Sequence, residues 1–345
     1  MCARKIETAV PERPVHFGFD DRDVILEVRE LRKQFLVHHG RTVVRAVDGV
    51  SFQLRRGEIL GLVGESGCGK TTTGKLLMKL IEPSSGAIIV DGEDRTRLPR
   101  EREIEYRRHV QMIFQDPYAS MNPHFKVKDV LEEPLLIHKI GQSRLERMDM
   151  VRQVMEKVKM SPAEEYMERH PHMLSGGQRQ RIATARTLIL RPQIIVADEP
   201  VSMIDLSTRA EILHLMKSIQ QDMELSFLYI THDISTARFF TDRIAVMYLG
   251  RIVEIGTQDE VIDHPIHPYT KALIAAVCEP VSGRVGIERV LQVKGEIPSA
   301  AAIPSGCRFH PRCPFATKEC AELPEPELED SGGGHLHACR RWKEI

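Results

Sequence analysis

The sequence predicts an α/β fold: a mainly parallel sheet with helices packed on it, an α-helical subdomain and a small cysteine-containing C-terminal extension. Three observations predict it. A strand-like run, Glu58–Val63, leads straight into a glycine-rich loop and then into a helical pattern from Thr71 to Ile81, which Pro83 and Gly86 end. Strand-like runs return at Ile194–Ala197, Phe227–Ile230 and Arg243–Tyr248, separated by helical stretches. Strands alternating with helices argue a parallel sheet covered on its faces. Past about Val261, Pro, Gly and Cys become frequent and regular periodicity fades.

In chain order, residues 1–23 read as a loose polar leader. Val24–Val28 and Ala46–Phe52 read as strands that precede the loop. The stretch from about Asp116 to Gln180 is rich in Met, Glu, Lys and Arg at helical spacing, as in Leu145–Val158, and reads as a helical insertion. We therefore divide the chain into a leader (1–23), a catalytic domain (24–260, with its helical subdomain at about 116–180) and a C-terminal region (261–345). At 345 residues the chain is too long for one core and fits a large domain plus a smaller one. The glycine-rich loop occurs once, so the catalytic unit has no internal repeat.

Acidic and basic residues nearly cancel, for a formal net charge of -1. A whole-chain basic footprint for nucleic acid is missing, which argues against DNA or RNA as partner. No stretch approaches the ~20 apolar residues that span a bilayer. The N-terminus lacks the apolar core of a signal peptide. These features predict a cytoplasmic protein that borrows any membrane-spanning part from a partner. Seven cysteines is an odd number, and stable disulfides are not expected in a reducing compartment.

The loop Gly64-Glu65-Ser66-Gly67-Cys68-Gly69-Lys70-Thr71, with Thr72 behind it, has the spacing of a phosphate loop. Glycines let the backbone curl so that successive N–H groups point at phosphate oxygens, and the helix N-terminus adds positive dipole. Lys70 then reaches the β- and γ-phosphates of ATP, and Thr71 ligates Mg²⁺. Ile194–Glu199 reads as a buried strand ending in two acids. Asp198 would hold Mg²⁺ through water, and Glu199 would activate the attacking water as general base. Alone, such an ending is as often a cap or a turn; the loop upstream favours the catalytic reading. Cys68 has two readings: a small residue tolerated in the loop, or a thiol made reactive by Lys70 and the helix N-terminus.

Leu174-Ser175-Gly176-Gly177-Gln178 resembles the signature pentapeptide of the ABC ATPases. It is again an anion site in kind, a hydroxyl and glycine N–H groups at a helix start. The resemblance implies that Ser175, Gly176, Gly177 and Gln178 face the phosphate loop of a second subunit, so that two ATPs are sandwiched in a dimer. It also implies that Gln115, after Met112-Ile113-Phe114, is the Q-loop residue contacting Mg²⁺ and water. His232, in Ile230-Thr231-His232-Asp233, is implied to be the switch histidine that senses the γ-phosphate. Phe35 lies where the family stacks an aromatic on adenine, with core packing as the rival reading. Val47 packs on the nucleotide or is a plain strand residue. In the D-loop, Ser202-Met203-Ile204-Asp205 departs from the usual Ala-Leu middle but keeps Asp205.

One ATPase unit without large insertions resembles a transporter subunit more than the repair or translation machines of the family. Gln115–Pro123, Ala197–Ser202 and Met247–Glu254 are similar to the oligopeptide/dipeptide importer ATPases. So are His267–Leu273 and Ser305–Pro314 in the tail, and the likeness covers about residues 24 to 345. It implies a peripheral subunit at the cytoplasmic face of the inner membrane. The implied partners are a second ABC ATPase subunit, two membrane permease subunits and an extracytoplasmic substrate-binding protein. The permease contact is expected on the helical subdomain just after Gln115. The tail cysteines Cys307, Cys313, Cys320 and Cys339 are spaced by five, six and eighteen residues. Close pairs of the zinc-site kind are missing. The resemblance associates this set with a [4Fe–4S] cluster; zinc, and unliganded thiols or adventitious disulfides, stay open beside it. The competing functional class is a soluble ABC ATPase acting on nucleic acid or ribosomes.

Overall fold

A computed structural model describes residues 24–37, 42–118, 121–276 and 293–345. The leader read at 1–23, and Ala119 and Ser120 of the importer-like segment, lie outside the described residues.

The chain opens with two long strands, β1 (Val24–Val37) and β2 (Thr42–Arg55), paired antiparallel. Their inward side chains alternate along the pleat, as Val28 opposite Phe52 illustrates, and both are fully buried. β3 (Ile59–Val63) is buried at every position, as a strand covered on both faces must be. It feeds α1 (Lys70–Leu77). β4 (Ser85–Val90) then returns antiparallel beside β1, and β5 (Glu93–Asp94) completes a four-stranded sheet in the order β2-β1-β4-β5.

Next come α2 (Arg100–His109) and β6 (Val110–Ile113). The helical subdomain holds α3 (Val127–Ile137), α4 (Arg144–Lys157), α5 (Ala163–Met167) and α6 (Gly176–Leu188). β7 (Ile194–Asp198), α7 (Leu206–Met223), β8 (Ser226–Thr231), α8 (Ile234–Phe240), β9 (Arg243–Tyr248) and β10 (Arg251–Thr257) rebuild the main sheet. The C-terminal region adds α9 (Gln258–Asp263), α10 (Pro268–Ala275), α11 (Lys318–Glu322), β11 (Glu329–Asp330) and β12 (Leu336–His337). The main sheet runs β11-β12-β10-β9-β3-β8-β7-β6. Its five strands from β9 to β6 are parallel, and β10, β12 and β11 continue it antiparallel.

The core lies in three places. One cluster packs β1 and β2 against the main sheet through Phe52, Leu60, Leu62 and Val196. A second joins the other face to the helical subdomain through Leu131, Met155, Ile182 and Phe227. A third sits under the C-terminal region around Tyr248, Tyr269 and Phe309.

One expected bound changes, and two features appear that the sequence does not reveal. The first two strands do not join the parallel sheet; with only residues 38–41 between them they pair as an antiparallel ribbon, since a parallel partner needs a long crossover. The helix after the loop ends at Leu77 rather than Ile81, because Lys79 takes φ 54, a left-handed turn that breaks the helix before Pro83. Across the boundary read at residue 260 the sheet continues: Glu254 and Ile255 of β10 pair with His337 and Leu336 of β12, so the tail extends the main sheet.

Candidate functional site

β3 hands the chain to the glycine-rich loop at Val63, and α1 begins at Lys70. Two glycines allow this passage. Gly69 sits at φ 111, and a Cβ there would fall 2.1 Å from the Ala46 carbonyl oxygen. A Cβ on Gly64 would fall 2.2 Å from the Met247 carbonyl oxygen. The loop therefore passes between β2 and β9 with backbone contact on both sides. Lys70 is buried, and its Nζ donates to the carbonyls of Gly64 (2.6 Å) and Glu65 (3.0 Å). Its charge thus rests on the loop's own backbone.

The parallel strands deliver the remaining groups from their C-terminal ends, where open α/β sheets bind ligands. Thr71 donates its hydroxyl to Asp198 Oδ1 at 3.1 Å. Burial pushes the Asp198 carboxyl up, helped by the neighbouring Glu199 charge and opposed by the Thr71 bond. Glu199, just past β7, holds φ 46, uncommon for a non-glycine residue and a mark of a constrained site. Its amide donates to the Ile230 carbonyl at 2.8 Å. Gln115 Nε2, past β6, donates to Glu199 Oε2 at 2.9 Å. His232 Nδ1, past β8, lies 2.8 Å from Glu199 Oε1. Neighbouring strands β6, β7 and β8 thus each contribute one member of a hydrogen-bonded set.

Ser66, Gly67, Gly69, Lys70, Thr71, Thr72, Gln115, Glu199 and His232, with Ala46, line one open cleft of about 420 Å³, in the range of small-ligand sites. Ala46 carried no sequence signal. Gly64, Glu65 and Cys68 shape the loop from behind rather than line the cleft, and Asp198 reaches it through Thr71. The reactive reading of Cys68 is not supported. Burial pushes its thiol up and outweighs Lys70, whose Nζ lies 3.8 Å away.

Phe35 is not brought to the cleft. It lies opposite Val44, and the hairpin's contribution to the lining is Ala46 instead. Phe35 is 36% exposed, with Lys33 Nζ 5.2 Å from its ring centroid. Val47 is fully buried in the core.

The signature residues form a helix start away from the cleft of their own chain. Ser175 Oγ accepts the Gln178 amide (3.3 Å), and Gln178 Oε1 accepts the Ser175 amide (3.0 Å), a reciprocal cap. Ser175 and Gly176 are exposed. A Cβ on Gly177 would fall 2.6 Å from Thr208 Cγ2, so α6 and α7 start side by side. Asp205 caps α7, accepting from the Thr208 amide at 3.2 Å.

Cys307, Cys313, Cys320 and Cys339 line a single cavity walled by Phe309 and Phe315. All are free thiols, so the disulfide reading finds no support here. Burial pushes Cys307 up to about 12 and Cys313 up to about 11, and Cys339 is raised for the same reason. The expected metal centre is not met by a formed ligand set: among the described residues no three His, Cys, Asp or Glu gather around one ion position.

Two tail side chains reach the loop, and spacing in the sequence gave no sign of them. Tyr269 Oη accepts the Glu65 amide at 2.8 Å, and Arg312 grips the Glu65 carboxylate with two bonds of 2.7 and 3.0 Å.

This geometry is that of a nucleotide-binding cassette. Residues 47–202 match the model of the ABC transporter family, and residues 253–320 match that of the oligopeptide/dipeptide transporter C-terminal region. The chain is 43% identical over 328 residues to the oligopeptide transport ATP-binding protein AppF of Bacillus subtilis, covering 92% of this chain and 98% of that one. It is 47% identical over 296 residues to the dipeptide transport ATP-binding protein DppF of Haemophilus influenzae, covering 86% and 89%. Among solved structures it resembles the dimeric bacterial ABC transporter cassette MJ0796 (TM-score 0.62, 27% identity, 68% of this chain and 99% of that one). It also resembles cbiO1 of Clostridium perfringens (TM-score 0.61, 26% identity, 70% and 92%). The chain belongs to the ABC transporter ATP-binding proteins of the oligopeptide/dipeptide type. Among the described residues no helix is long and apolar enough to cross a membrane.

Proposed function

We propose that this chain hydrolyses ATP to power import of peptides or related small solutes through a membrane ABC transporter. The observation that carries the proposal is the Gln115–Glu199–His232 set at the phosphate-loop cleft. On ATP binding, Lys70 leaves the two loop carbonyls for the β- and γ-phosphates, and the loop amides take the remaining oxygens. Glu199 takes the proton of the attacking water, held in place from both sides by Gln115 and His232. His232 also reports the γ-phosphate. Mg²⁺ bound with ATP would neutralise the charge that develops on the phosphates. The Thr71 hydroxyl, the Asp198 carboxylate and the Gln115 amide oxygen are the hard oxygen donors that would hold it. Thr71 and Asp198 already stand 3.1 Å apart.

Ser175, Gly176, Gly177 and Gln178 serve the ATP of a second subunit, with Asp205 beside that interface. The exposure of Ser175 and Gly176 at a capped helix start away from their own cleft supports this, as does the dimeric state named for MJ0796. The second subunit is a related ABC ATPase or another copy of this chain. Two permease subunits dock on the helical subdomain after Gln115, where Tyr118 and Phe125 are exposed. An extracytoplasmic binding protein delivers the solute, and the ATPase sits peripherally at the cytoplasmic face of the inner membrane. The reading as a soluble nucleic-acid or ribosome ATPase is not favoured, given peptide-transport relatives and a net charge of -1.

For the tail we infer a [4Fe–4S] cluster on Cys307, Cys313, Cys320 and Cys339. Their sharing of one cavity supports it. A cluster takes four thiolates at four iron positions, so it needs no single-ion ligand set, whereas zinc does. Purification without air should give a coloured protein with iron and sulfide; a colourless, iron-free, folded protein overturns this reading. The transport reading is tested by reconstitution with candidate permeases and binding proteins. Peptide should stimulate ATP hydrolysis; stimulation by ribosomes or DNA, and none by peptide with any permease pair, overturns it.

A further inference from the structure

The phosphate loop is held from outside the nucleotide-binding motifs, at one residue. Glu65 is the second residue of the loop, and every polar group it has is engaged. Its carbonyl accepts from Lys70 at 3.0 Å, its amide donates to Tyr269 Oη at 2.8 Å, and its carboxylate is gripped by Arg312 at 2.7 and 3.0 Å. Tyr269 is 2% exposed and Arg312 9%. Behind them stands an aromatic platform. Tyr248 lies 4.6 Å from Tyr269 and 5.4 Å from Phe309, centroid to centroid, and the Arg312 guanidinium is 5.8 Å from both Tyr248 and Phe309. Arg312 directly precedes Cys313, a wall residue of the cysteine cavity.

A second contact steadies the same region. Arg308 pairs with buried Asp48 at 2.6 Å and donates to the Leu249 carbonyl, while Gly250 donates its amide to the Cys68 carbonyl at 2.8 Å. The tail thus braces the loop from beneath directly at Glu65, and indirectly at Cys68 through the turn Leu249-Gly250.

From these contacts we propose that Tyr269 and Arg312 are positioning residues for ATP binding, acting through Glu65 to keep the loop amides aimed into the cleft. The proposal rests on the ATP-site reading above. The logic follows from Lys70. When Lys70 turns to the phosphates, the Glu65 carbonyl keeps only the 3.3 Å bond from the Cys68 amide, which lies within the loop itself. Tyr269 and Arg312 are then what holds Glu65 from outside the loop, so their contribution is made in the nucleotide-bound state. Neither touches the reacting atoms, and both side chains come from residues more than two hundred positions along the chain. A charge-assisted bidentate grip is the stronger of the two restraints.

The test uses the full-length protein, with ATP dissociation constants, turnover at saturating ATP and thermal midpoints measured for each variant. Tyr269→Phe keeps the ring packing and removes only the acceptor. It should weaken ATP binding about three- to tenfold, the scale of one lost hydrogen bond to a buried group, with saturated turnover within about twofold of the parent. Arg312→Gln should weaken it by about tenfold or more, and Arg312→Lys should recover part of the loss. In a double-mutant cycle, Glu65→Gln and Arg312→Gln together should be no worse than the stronger single change. Unchanged affinity in both Tyr269→Phe and Arg312→Gln overturns the proposal while leaving the ATP site intact. Fully additive losses that follow the fall in thermal midpoint overturn it in favour of simple tail stability. A parent protein that binds no ATP overturns the ATP-site reading itself, and the proposal with it.

Discussion

The ATP cleft and the cysteine cavity lie on either side of the Arg312–Glu65 contact and are built by opposite means. Six cleft residues, Ser66, Gly67, Gly69, Lys70, Thr71 and Thr72, come from one short stretch of chain. The cleft's ionised groups are partnered before any ligand arrives: Lys70 on carbonyls, Asp198 on Thr71, Glu199 between Gln115 and His232. The cavity draws its four thiols from residues spread between 307 and 339 and holds Cys307, Cys313 and Cys339 neutral by burial. The cleft is therefore preorganised, and a ligand exchanges one set of hydrogen bonds for another. The cavity is a neutral shell, and any metal entering it must first displace protons.

The largest effect that would break this contrast falls on the cleft. Lys70→Ala removes its buried cation. Hydrolysis should fall roughly 10²- to 10³-fold, the scale of one lost preorganised donor, in a steady-state phosphate-release assay. A loss under about tenfold would mean that the loop backbone alone suffices.

On the tail side, Arg308→Ala removes one of the two ion-pair partners of buried Asp48 and leaves Arg32 at 2.7 Å. The cost should be roughly 1.5–3 kcal/mol of stability, the scale of a lost hydrogen bond to a charged group, read from denaturant unfolding. A cost below about 1 kcal/mol would show that the tail does not brace the domain. The pH dependence of this contact has a definite sign. Burial alone would raise the Asp48 carboxyl, but the hydrogen bond and charge of Arg308, with Arg32 and Arg45, hold it below the usual carboxylate range. Its stabilisation is complete above the unfolded value and is lost only as pH falls through the lower folded value. Parent and Arg308→Ala should therefore differ fully at neutral pH and converge in strong acid.

The smallest effect concerns Cys68. Burial raises its thiol, so in native protein it should be alkylated at neutral pH about tenfold or more slowly than after denaturation. Equal rates, with peptide mapping assigning the label, would restore the reactive reading.

Much of the cleft was legible in the sequence because phosphate chemistry needs backbone amides at fixed spacing. Gly64, Gly69, Lys70 and Thr71 lie within eight residues, and Glu199 ends an apolar run that can only be a buried strand. The helical subdomain was legible from its periodicity, with α4 starting and ending within one residue of the reading. A strand pattern does not reveal register, so the sequence did not show that Ala46 is the hairpin residue lining the cleft while Phe35 stands outside that lining. The antiparallel ribbon of β1 and β2 was missed because strand runs carry no sign of the sheet they join. The bracing of Glu65 by Tyr269 and Arg312 was illegible because such contacts are made by the fold, with no local pattern at either end.

The central claim is that this cleft hydrolyses ATP with Glu199 as the base. The most direct measurement compares turnover and ATP binding in the parent and Glu199→Gln. Turnover should fall about 10²-fold or more while ATP is still bound and the protein accumulates as an ATP-held dimer. Near-parental turnover in Glu199→Gln would contradict the account.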